Sequence, residues 1–304
     1  MSLRNGHARW AFDLSQWRPN LNDLLTATAC IQPEEKKQLA KFFFRDDMNA
    51  SLIGRLLMRR FVKMCVPEVE YNEFEFGRDP KGRPLLLYNN RESATNIPER
   101  LHLDFNVSHH ESYAVLAGFV RQKTPGDSDK LSQIGVDVMN TKYTGGKPLH
   151  EFFRIMNRTF TPNEWTYIWG RSTERAQSEA FMRHWCLKES YVKSIGIGVT
   201  MNLQRIDFTV NTDCLTPSQI ALDTRLCVDE VNMNDWIFEE SLLDEDHCVA
   251  VSVSHSDLEY RKGSRNSLFE KISFEQLMEC STPLLTQDLP YCTNILAKEY
   301  KPDR

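Results

Sequence analysis

A polar connection near the middle of the chain constrains the fold most strongly. Residues 121–132 contain a proline and a glycine and no apolar periodicity, which is typical of a linker. The segments on both sides of it mix apolar strands with amphipathic helices, so the sequence predicts two α+β lobes, 1–120 and 121–257. A polar extension, 258–304, follows them. A chain of 304 residues is long enough to bury two hydrophobic cores.

Composition excludes several classes of protein. The formal net charge of -5 argues against a general nucleic-acid binder, which needs a basic face that neutralises many phosphates. No apolar run approaches the roughly 20 residues that span a bilayer, and the polar start of the chain does not resemble a secretory signal. The eight scattered cysteines, without paired metal-ligand spacing, predict reduced thiols and no zinc site. We therefore expect a cytosolic monomer with no nucleic-acid or membrane partner.

Periodicity and capping signals predict the main elements. One or two amphipathic helices are expected over Gln32–Met64, with Pro33 in the first turn. Threonine, proline and glutamate in Thr161–Glu164 predict a capped helix start, and a further helix over Ala176–Ser194 should end at Gly196. Strands are predicted at 71–76, 85–88, 103–107, 113–120 and 134–138. The similar order of elements in the two halves is compatible with an internal repeat and equally with coincidence.

Two blocks in the first half carry groups that bind anions. The loop Arg78–Pro84 combines arginine forks and a lysine ammonium with a glycine that lets backbone approach a ligand, which suits phosphate oxygens. Its alternative is a solvated turn. Further along, Asn106–His109 ends a strand in hydroxyl and imidazole groups that can donate to an anion, although polar turns of this kind are common.

A third block lies in the second half. Asp137 ends an apolar strand, and Glu189 and Lys193 stand four residues apart on one helix face. A surface ion pair within the helix explains that spacing. The functional alternative is that Asp137 and Glu189 give hard oxygen ligands to magnesium while Lys193 reaches a pyrophosphate held by the same ion. Because the first two blocks also suit phosphate, the combination favours the second interpretation.

Six blocks, taken in chain order, resemble the 4'-phosphopantetheinyl transferase superfamily. Within it they are similar to the two-lobed eukaryotic type related to the L-aminoadipate-semialdehyde dehydrogenase transferases. The resemblance covers about 9–254. Its blocks are Gly54–Leu57, Lys81–Pro84, Phe105–His109, Gly135–Val138, Phe160–Trp165 and Trp185–Lys193.

The resemblance implies a fold and a reaction. The two lobes would be related by a pseudo-twofold axis, with coenzyme A and Mg2+ in the cleft between them. The enzyme would transfer the 4'-phosphopantetheine arm of coenzyme A to a serine of an apo carrier-protein domain and release 3',5'-ADP. Expected carriers are domains of fatty acid synthase and of aminoadipate-reductase-like proteins.

The resemblance also assigns roles to residues. Glu189 and Lys193 would be catalytic, with Glu189 removing the serine proton, and Asp137 and Glu189 would bind the metal. The residues expected to contact coenzyme A are Arg78, Lys81, Gly82, Arg83, Asn106, Val107, Ser108, His109, Asp137, Glu189, Ser190 and Lys193.

The chain departs from the family pattern at one position and leaves another open. Many members carry a second acid two residues after the metal-binding aspartate, where this chain has Met139, a poor ligand for magnesium that leaves a coordination place for water. Relatives present basic residues to the nucleotide near Pro33, and the sequence leaves open which side chain does so here. The candidates are Lys36, Lys37, Gln38 and Lys41.

Two other functions compete with transfer. With Met139 in place, a catalytically idle protein would still bind coenzyme A or a carrier. An acyl-coenzyme A transferase would use the same nucleotide pocket but would need no metal at Asp137 and Glu189. Apolar residues after the last helix, Ile197, Val199 and Met201, suit either a docking strip for a carrier helix or a buried strand.

Overall fold

The structure, a computed structural model, divides the described chain into two compact units. The first spans 1–127 together with 269–304, and the second spans 128–268. Both combine helices with mainly antiparallel strands, which confirms the α+β class. The symmetry axis between the lobes stays a prediction. The described residues are 6–80, 82–88, 101–123, 133–197, 201–254 and 267–302.

The helices and strands follow in three groups along the chain. Before the linker they are β1 (His7–Asp13), α1 (Leu21–Ala29), α2 (Pro33–Leu39), α3 (Arg45–Cys65), β2 (Phe74–Arg78), β3 (Pro84–Tyr88), β4 (Leu101–His110) and β5 (Tyr113–Gln122). The second unit contains β6 (Ile134–Asn140), α4 (Leu149–Ile155), α5 (Pro162–Trp169), α6 (Glu174–Ile195), β7 (Ile206–Thr209), β8 (Arg225–Val228), β9 (Val231–Asn232), β10 (Trp236–Leu242) and β11 (His247–Ser254). The C-terminal segment adds β12 (Glu270–Lys271), α7 (Phe274–Met278) and α8 (Leu289–Leu296).

A long helix packed on a sheet forms the core of the first unit. The strand order is β12-β1-β5-β4, and α3 lies against β4 and β5. Leu52, Leu56 and Phe61 of α3 are completely buried. Burial of each such side chain stabilises the unit by about 2 kcal/mol relative to exposure. The ring of Phe61 meets Phe105 of β4 at a centroid distance of 5.7 Å.

The C-terminal segment is part of the first unit. Strand β12 pairs in parallel with β1, placing Glu270 opposite Trp10. Leu277 of α7 and Ile295 of α8 are buried in the same core as α3. The sequence suggested a separate extension because the segment as a whole is polar and contains prolines, and each of its elements is short. Residues 258–266 of that predicted extension lie outside the described residues.

The second unit packs its own long helix on a second sheet. Its strand order is β10-β11-β6, and α6 lies across β6 and β11. The predicted start of α5 is confirmed, because Thr161 and Glu164 form the reciprocal capping box. The predicted end of α6 is also confirmed, since Gly196 takes a left-handed conformation with φ 66°. An aromatic cluster joins α4, α5 and α6 through Phe153, Phe160 and Phe181.

The β4–β5 connection is tighter than the sequence predicted. Strand β4 continues through His110, and only Glu111 and Ser112 form the turn, with Glu111 at φ 45°. Ser108 and His109 therefore lie within the strand, because backbone pairing with β5 does not require apolar side chains. Within the described ranges, no helix combines the length and apolar character needed to cross a lipid bilayer.

Candidate active site

Three predicted site residues of the second unit lie together. Asp137 on β6 is only 4% exposed, and its Oδ1 atom is 2.6 Å from the Nζ atom of Lys193 on α6. The sequence placed Lys193 beside Glu189 through their spacing on the helix, but the ion pair in the structure joins Lys193 to Asp137. The strand and the helix therefore bring two carboxylates and one ammonium into a single cluster.

The surroundings of Glu189 shift its pKa upward. Burial raises the pKa of Glu189, the negative charge of Asp137 raises this pKa further, and Lys193 opposes both effects. In the protein alone, desolvation outweighs Lys193, so Glu189 holds its proton more tightly than an exposed glutamate.

A glycine sets the distance between the helix and the strand. A Cβ atom built on Gly135 would lie 2.6 Å from the backbone nitrogen of Ser194, and closer still to the carbonyl oxygen of Ser190. Only a residue without a side chain permits this approach. The hydroxyl of Ser252 on β11 donates to the same Ser190 carbonyl at 2.7 Å. The close contact places Asp137 within reach of the end of α6.

Ser190, a predicted coenzyme A contact, and Met139, which replaces the second acid of many relatives, both pack inward. Ser190 is completely buried, and its hydroxyl donates to the carbonyl of Leu187 at 2.8 Å. Met139 packs against the hydrophobic cluster built around α6. Ile197 and Met201 contact the same cluster, which favours the buried alternative for that segment, and Val199 lies outside the described residues.

The cationic loop of the first unit is a compact turn. Arg78 donates to the carbonyl of Gly82 at 2.6 Å, and Gly82 takes φ 87°. The Nη2 atom of Arg83 donates to both carboxylate oxygens of Asp104 on β4, at 2.7 and 2.6 Å. Lys81 lies outside the described residues. Arg78 and Arg83 are therefore held at the two ends of this turn.

The block on β4 divides between the two faces of the sheet. Alternation along a strand puts Asn106 and Ser108 on the face of Asp104, and Val107 and His109 on the other. Val107 packs against the core cluster of the first unit, so its side chain points inward. The polar face of β4 is thus the face that carries the carboxylate holding Arg83, and sequence reasoning had not separated the two faces.

The basic candidates near Pro33 have different surroundings. The Nζ atom of Lys36 lies 2.8 Å from a carboxylate oxygen of Asp288 and 4.5 Å from the ring centroid of Tyr291. Gln38 accepts a hydrogen bond from Arg55 at 3.0 Å. Lys37 is exposed beside Glu34, and Lys41 is exposed. These contacts join Lys36 to the C-terminal segment and Gln38 to α3, and they involve neither Lys37 nor Lys41.

The metal-binding potential of the second unit rests on few groups. Across the described ranges, no group of three or more histidine, cysteine, aspartate or glutamate side chains forms a metal cage. Asp137 and Glu189 nevertheless offer hard oxygen donors, and their mutual repulsion contributes to the raised pKa of Glu189. A divalent cation would relieve that repulsion, so the donor set fits magnesium with further places left to water or substrate.

Comparisons with known proteins identify the family of the chain. Two family models match the chain: "4'-phosphopantetheinyl transferase, N-terminal" over residues 15–121 and "4'-phosphopantetheinyl transferase superfamily" over residues 133–252. The chain therefore belongs to a class of transferases with an α+β fold. It is a member of the 4'-phosphopantetheinyl transferase superfamily.

Curated relatives cover nearly the whole chain. The L-aminoadipate-semialdehyde dehydrogenase-phosphopantetheinyl transferase of Xenopus laevis is 36% identical over 98% of this chain and 95% of its own length. The human protein of the same name is 35% identical over 92% of this chain and 88% of its own length. A phosphopantetheinyl transferase of Thraustochytrium is 32% identical over 81% of this chain and 78% of its own length. At the level of the family, these matches confirm a transferase that uses coenzyme A and carrier proteins.

Proposed function

We propose that the second unit carries out phosphopantetheine transfer with Asp137, Glu189 and Lys193. A serine oxygen of an apo carrier attacks the phosphorus bearing pantetheine, and 3',5'-ADP leaves. The observation that carries this proposal is the convergence of Asp137 on β6 with Glu189 and Lys193 on α6. If Lys193 formed only a surface ion pair with Glu189 within α6, Asp137 would not belong to the cluster.

Asp137 and Glu189 would hold Mg2+. When bound, the ion supplies positive charge that stabilises the leaving phosphate of 3',5'-ADP as the bond between the bridging oxygen and the transferred phosphorus breaks. The carboxylates are partly or fully buried, so water competes little with their attraction for a cation. Deprotonation of Glu189 accompanies metal binding, since a carboxylate must be ionised to act as a ligand.

Lys193 and Glu189 would divide the remaining work. Lys193 is held in place by Asp137, and its side chain keeps 28% exposure, so the ammonium is accessible to a pyrophosphate oxygen. Glu189 would accept the proton of the attacking serine. A carboxylate oxygen of Glu189 that the metal does not use would be within hydrogen-bond reach of the serine hydroxyl.

The first unit would hold the nucleotide of coenzyme A. Arg78, Gly82 and Arg83 bring cationic groups and a left-handed turn together, and Lys81 belongs to the same loop by sequence. The polar face of β4 adds Asn106 and Ser108, and His109 is exposed near the end of the strand. The inward packing of Val107 and Ser190 gives no support to side-chain contacts from those two residues.

Carriers related to aminoadipate reduction and to fatty acid synthesis are the proposed acceptors. Support comes from the names of the vertebrate relatives, which refer to L-aminoadipate-semialdehyde dehydrogenase. The cytosolic location and the monomeric state stay predictions of the sequence.

Incubation with coenzyme A, Mg2+ and a panel of apo carrier domains tests the proposal. We expect the serine of at least one carrier to gain the mass of phosphopantetheine only when the metal is present. Carriers of every type that stay unmodified would support the idle alternative. Acylated carriers formed without metal from an acyl-coenzyme A would support the acyltransferase alternative.

A further inference from the structure

Lys188 is a charged residue that the transfer chemistry leaves without a role. It precedes Glu189 in α6, yet its side chain is only 1% exposed. The Nζ atom lies 2.8 Å from a carboxylate oxygen of Glu164 and also donates to the carbonyls of Leu203 and Ile206. An ammonium has three hydrogen atoms to donate, so these contacts engage all of them.

The partner carboxylate is equally well held. Glu164 is completely buried, and its two oxygens accept from the backbone nitrogens of Thr161 at 2.9 Å and Phe208 at 3.0 Å. The pair therefore joins α6 to the first turn of α5 and to strand β7. Because its contacts come from separate segments, the position of the pair does not depend on any one of these elements alone.

The opposite flank of α6 is fixed independently. Successive side chains on a helix point about 100° apart, so Lys188, Glu189 and Ser190 face three directions. Ser190 packs on the sheet, where its carbonyl accepts from Ser252 and lies against Gly135. Lys188 faces α5 and β7, and Glu189 points between these two flanks. Lys193 lies one turn further along on nearly the same face as Glu189, and its 2.6 Å ion pair with Asp137 shows that this face meets β6.

Stability alone does not require an ion pair here. Replacing a buried ion pair by apolar groups of similar volume is often neutral or favourable for folding. A charge pair with five defined hydrogen-bond contacts differs from an apolar contact because it fixes direction as well as proximity.

We propose that the Lys188–Glu164 pair is a positioning pair that fixes the rotation of α6 and so aims Glu189 at Asp137. The inference rests on the function proposed above for Glu189. Neither Lys188 nor Glu164 would touch the substrate, and both would act through the orientation of α6.

A second buried pair on the same helix provides a matched control. Arg183 binds Glu240 of β10 in a bidentate pair, at 2.7 and 2.9 Å, with 6% and 1% side-chain exposure. It lies on α6 well before Glu189. The double variants Lys188→Met/Glu164→Gln and Arg183→Met/Glu240→Gln each remove one buried pair from α6.

The test compares these variants with Glu164→Gln alone, which preserves the shape of the site. Three quantities are measured: kcat at saturating coenzyme A, the dissociation constant of Mn2+ by electron paramagnetic resonance, and amide hydrogen exchange over 187–194. For the Lys188 double variant we expect kcat to fall by about 10- to 100-fold and Mn2+ to bind more weakly. Glu164→Gln should show the same two changes to a smaller extent, and amide hydrogen exchange around Glu189 should be faster than in the wild-type protein.

The control separates positioning from stability. We expect Arg183→Met/Glu240→Gln to melt at a lower temperature but to keep kcat and Mn2+ binding within about twofold of wild type. Equal losses of kcat in both double variants, or no loss in Glu164→Gln and the Lys188 variant, would overturn the proposal. Glu189→Gln is measured in parallel. If it retains wild-type kcat, the role of Glu189 itself fails; if it alone loses activity, only the positioning role fails.

Discussion

Substitution of Gly135 by alanine tests the link between helix packing and catalysis. The new methyl group would lie 2.6 Å from the backbone nitrogen of Ser194 and closer still to the carbonyl oxygen of Ser190. Both atoms belong to the backbone of α6, so no change of side-chain rotamer relieves the clash. The helix must retreat from β6 by about 1 Å before the contact becomes acceptable.

That retreat acts on the site more strongly than on the fold. Overpacking of this kind costs about 1–3 kcal/mol of folding free energy. The same movement lengthens the 2.6 Å contact between Lys193 and Asp137 and carries Glu189 away from the strand. A displacement of about 1 Å in catalytic groups lowers rates by about 10²-fold. We therefore expect a folded protein with a kcat reduced by about two orders of magnitude.

The assay follows transfer of phosphopantetheine to an apo carrier by mass spectrometry at saturating coenzyme A and Mg2+, alongside a thermal melt. Gly146→Ala is the matched control in the same unit, because a Cβ there meets nothing within 4 Å. A Gly135→Ala enzyme that keeps kcat within about threefold of wild type would refute the reasoning, since the helix would then tolerate displacement without loss of chemistry.

Three further substitutions test other parts of the structure. Glu189→Gln should lower kcat by about 10²-fold or more while equilibrium binding of coenzyme A, measured by calorimetry, weakens only modestly; unchanged kcat would exclude Glu189 as the base. Arg83→Ala should raise the KM for coenzyme A by about tenfold with little change in kcat, whereas Arg205→Ala, which removes an exposed pair with Asp229, should change neither. Burial lowers the pKa of His184 from 6.5 to about 3, so the unfolded chain binds a proton that the folded protein does not, and stability is lost as pH falls below about 6.5. Chemical denaturation should show about 2 kcal/mol of this loss between pH 6.5 and pH 5, and His184→Leu should abolish that portion; an unchanged pH dependence would contradict it.

Local signals in the sequence predicted the helices well. The cap at Thr161, the proline at the start of α2 and the glycine after α6 each determine backbone geometry within one turn, so no distant contact was needed to interpret them. The polar residues near His110 misled the prediction of β4, because strand pairing is made by the backbone of β5.

The sequence named the members of the candidate site but not their contacts. Spacing along one helix pairs Lys193 with Glu189, whereas the observed partner, Asp137, comes from a strand that approaches only because residue 135 is glycine. The role of Lys188 was missed for a similar reason, since its partner Glu164 lies in another helix. Alternation along β4 was the one available signal that separated Asn106 and Ser108 from Val107.

The discontinuous first unit has a consequence for biosynthesis. Strand β12 and helices α7 and α8, which complete that unit, are translated after the whole of the second unit. The N-terminal portion therefore leaves the ribosome without its last strand, while the second unit can acquire all of its residues earlier. We expect the second unit to complete its fold before the first unit, although most of the first unit is synthesised earlier. An affinity tag fused after α8 should therefore perturb the first unit rather than the second.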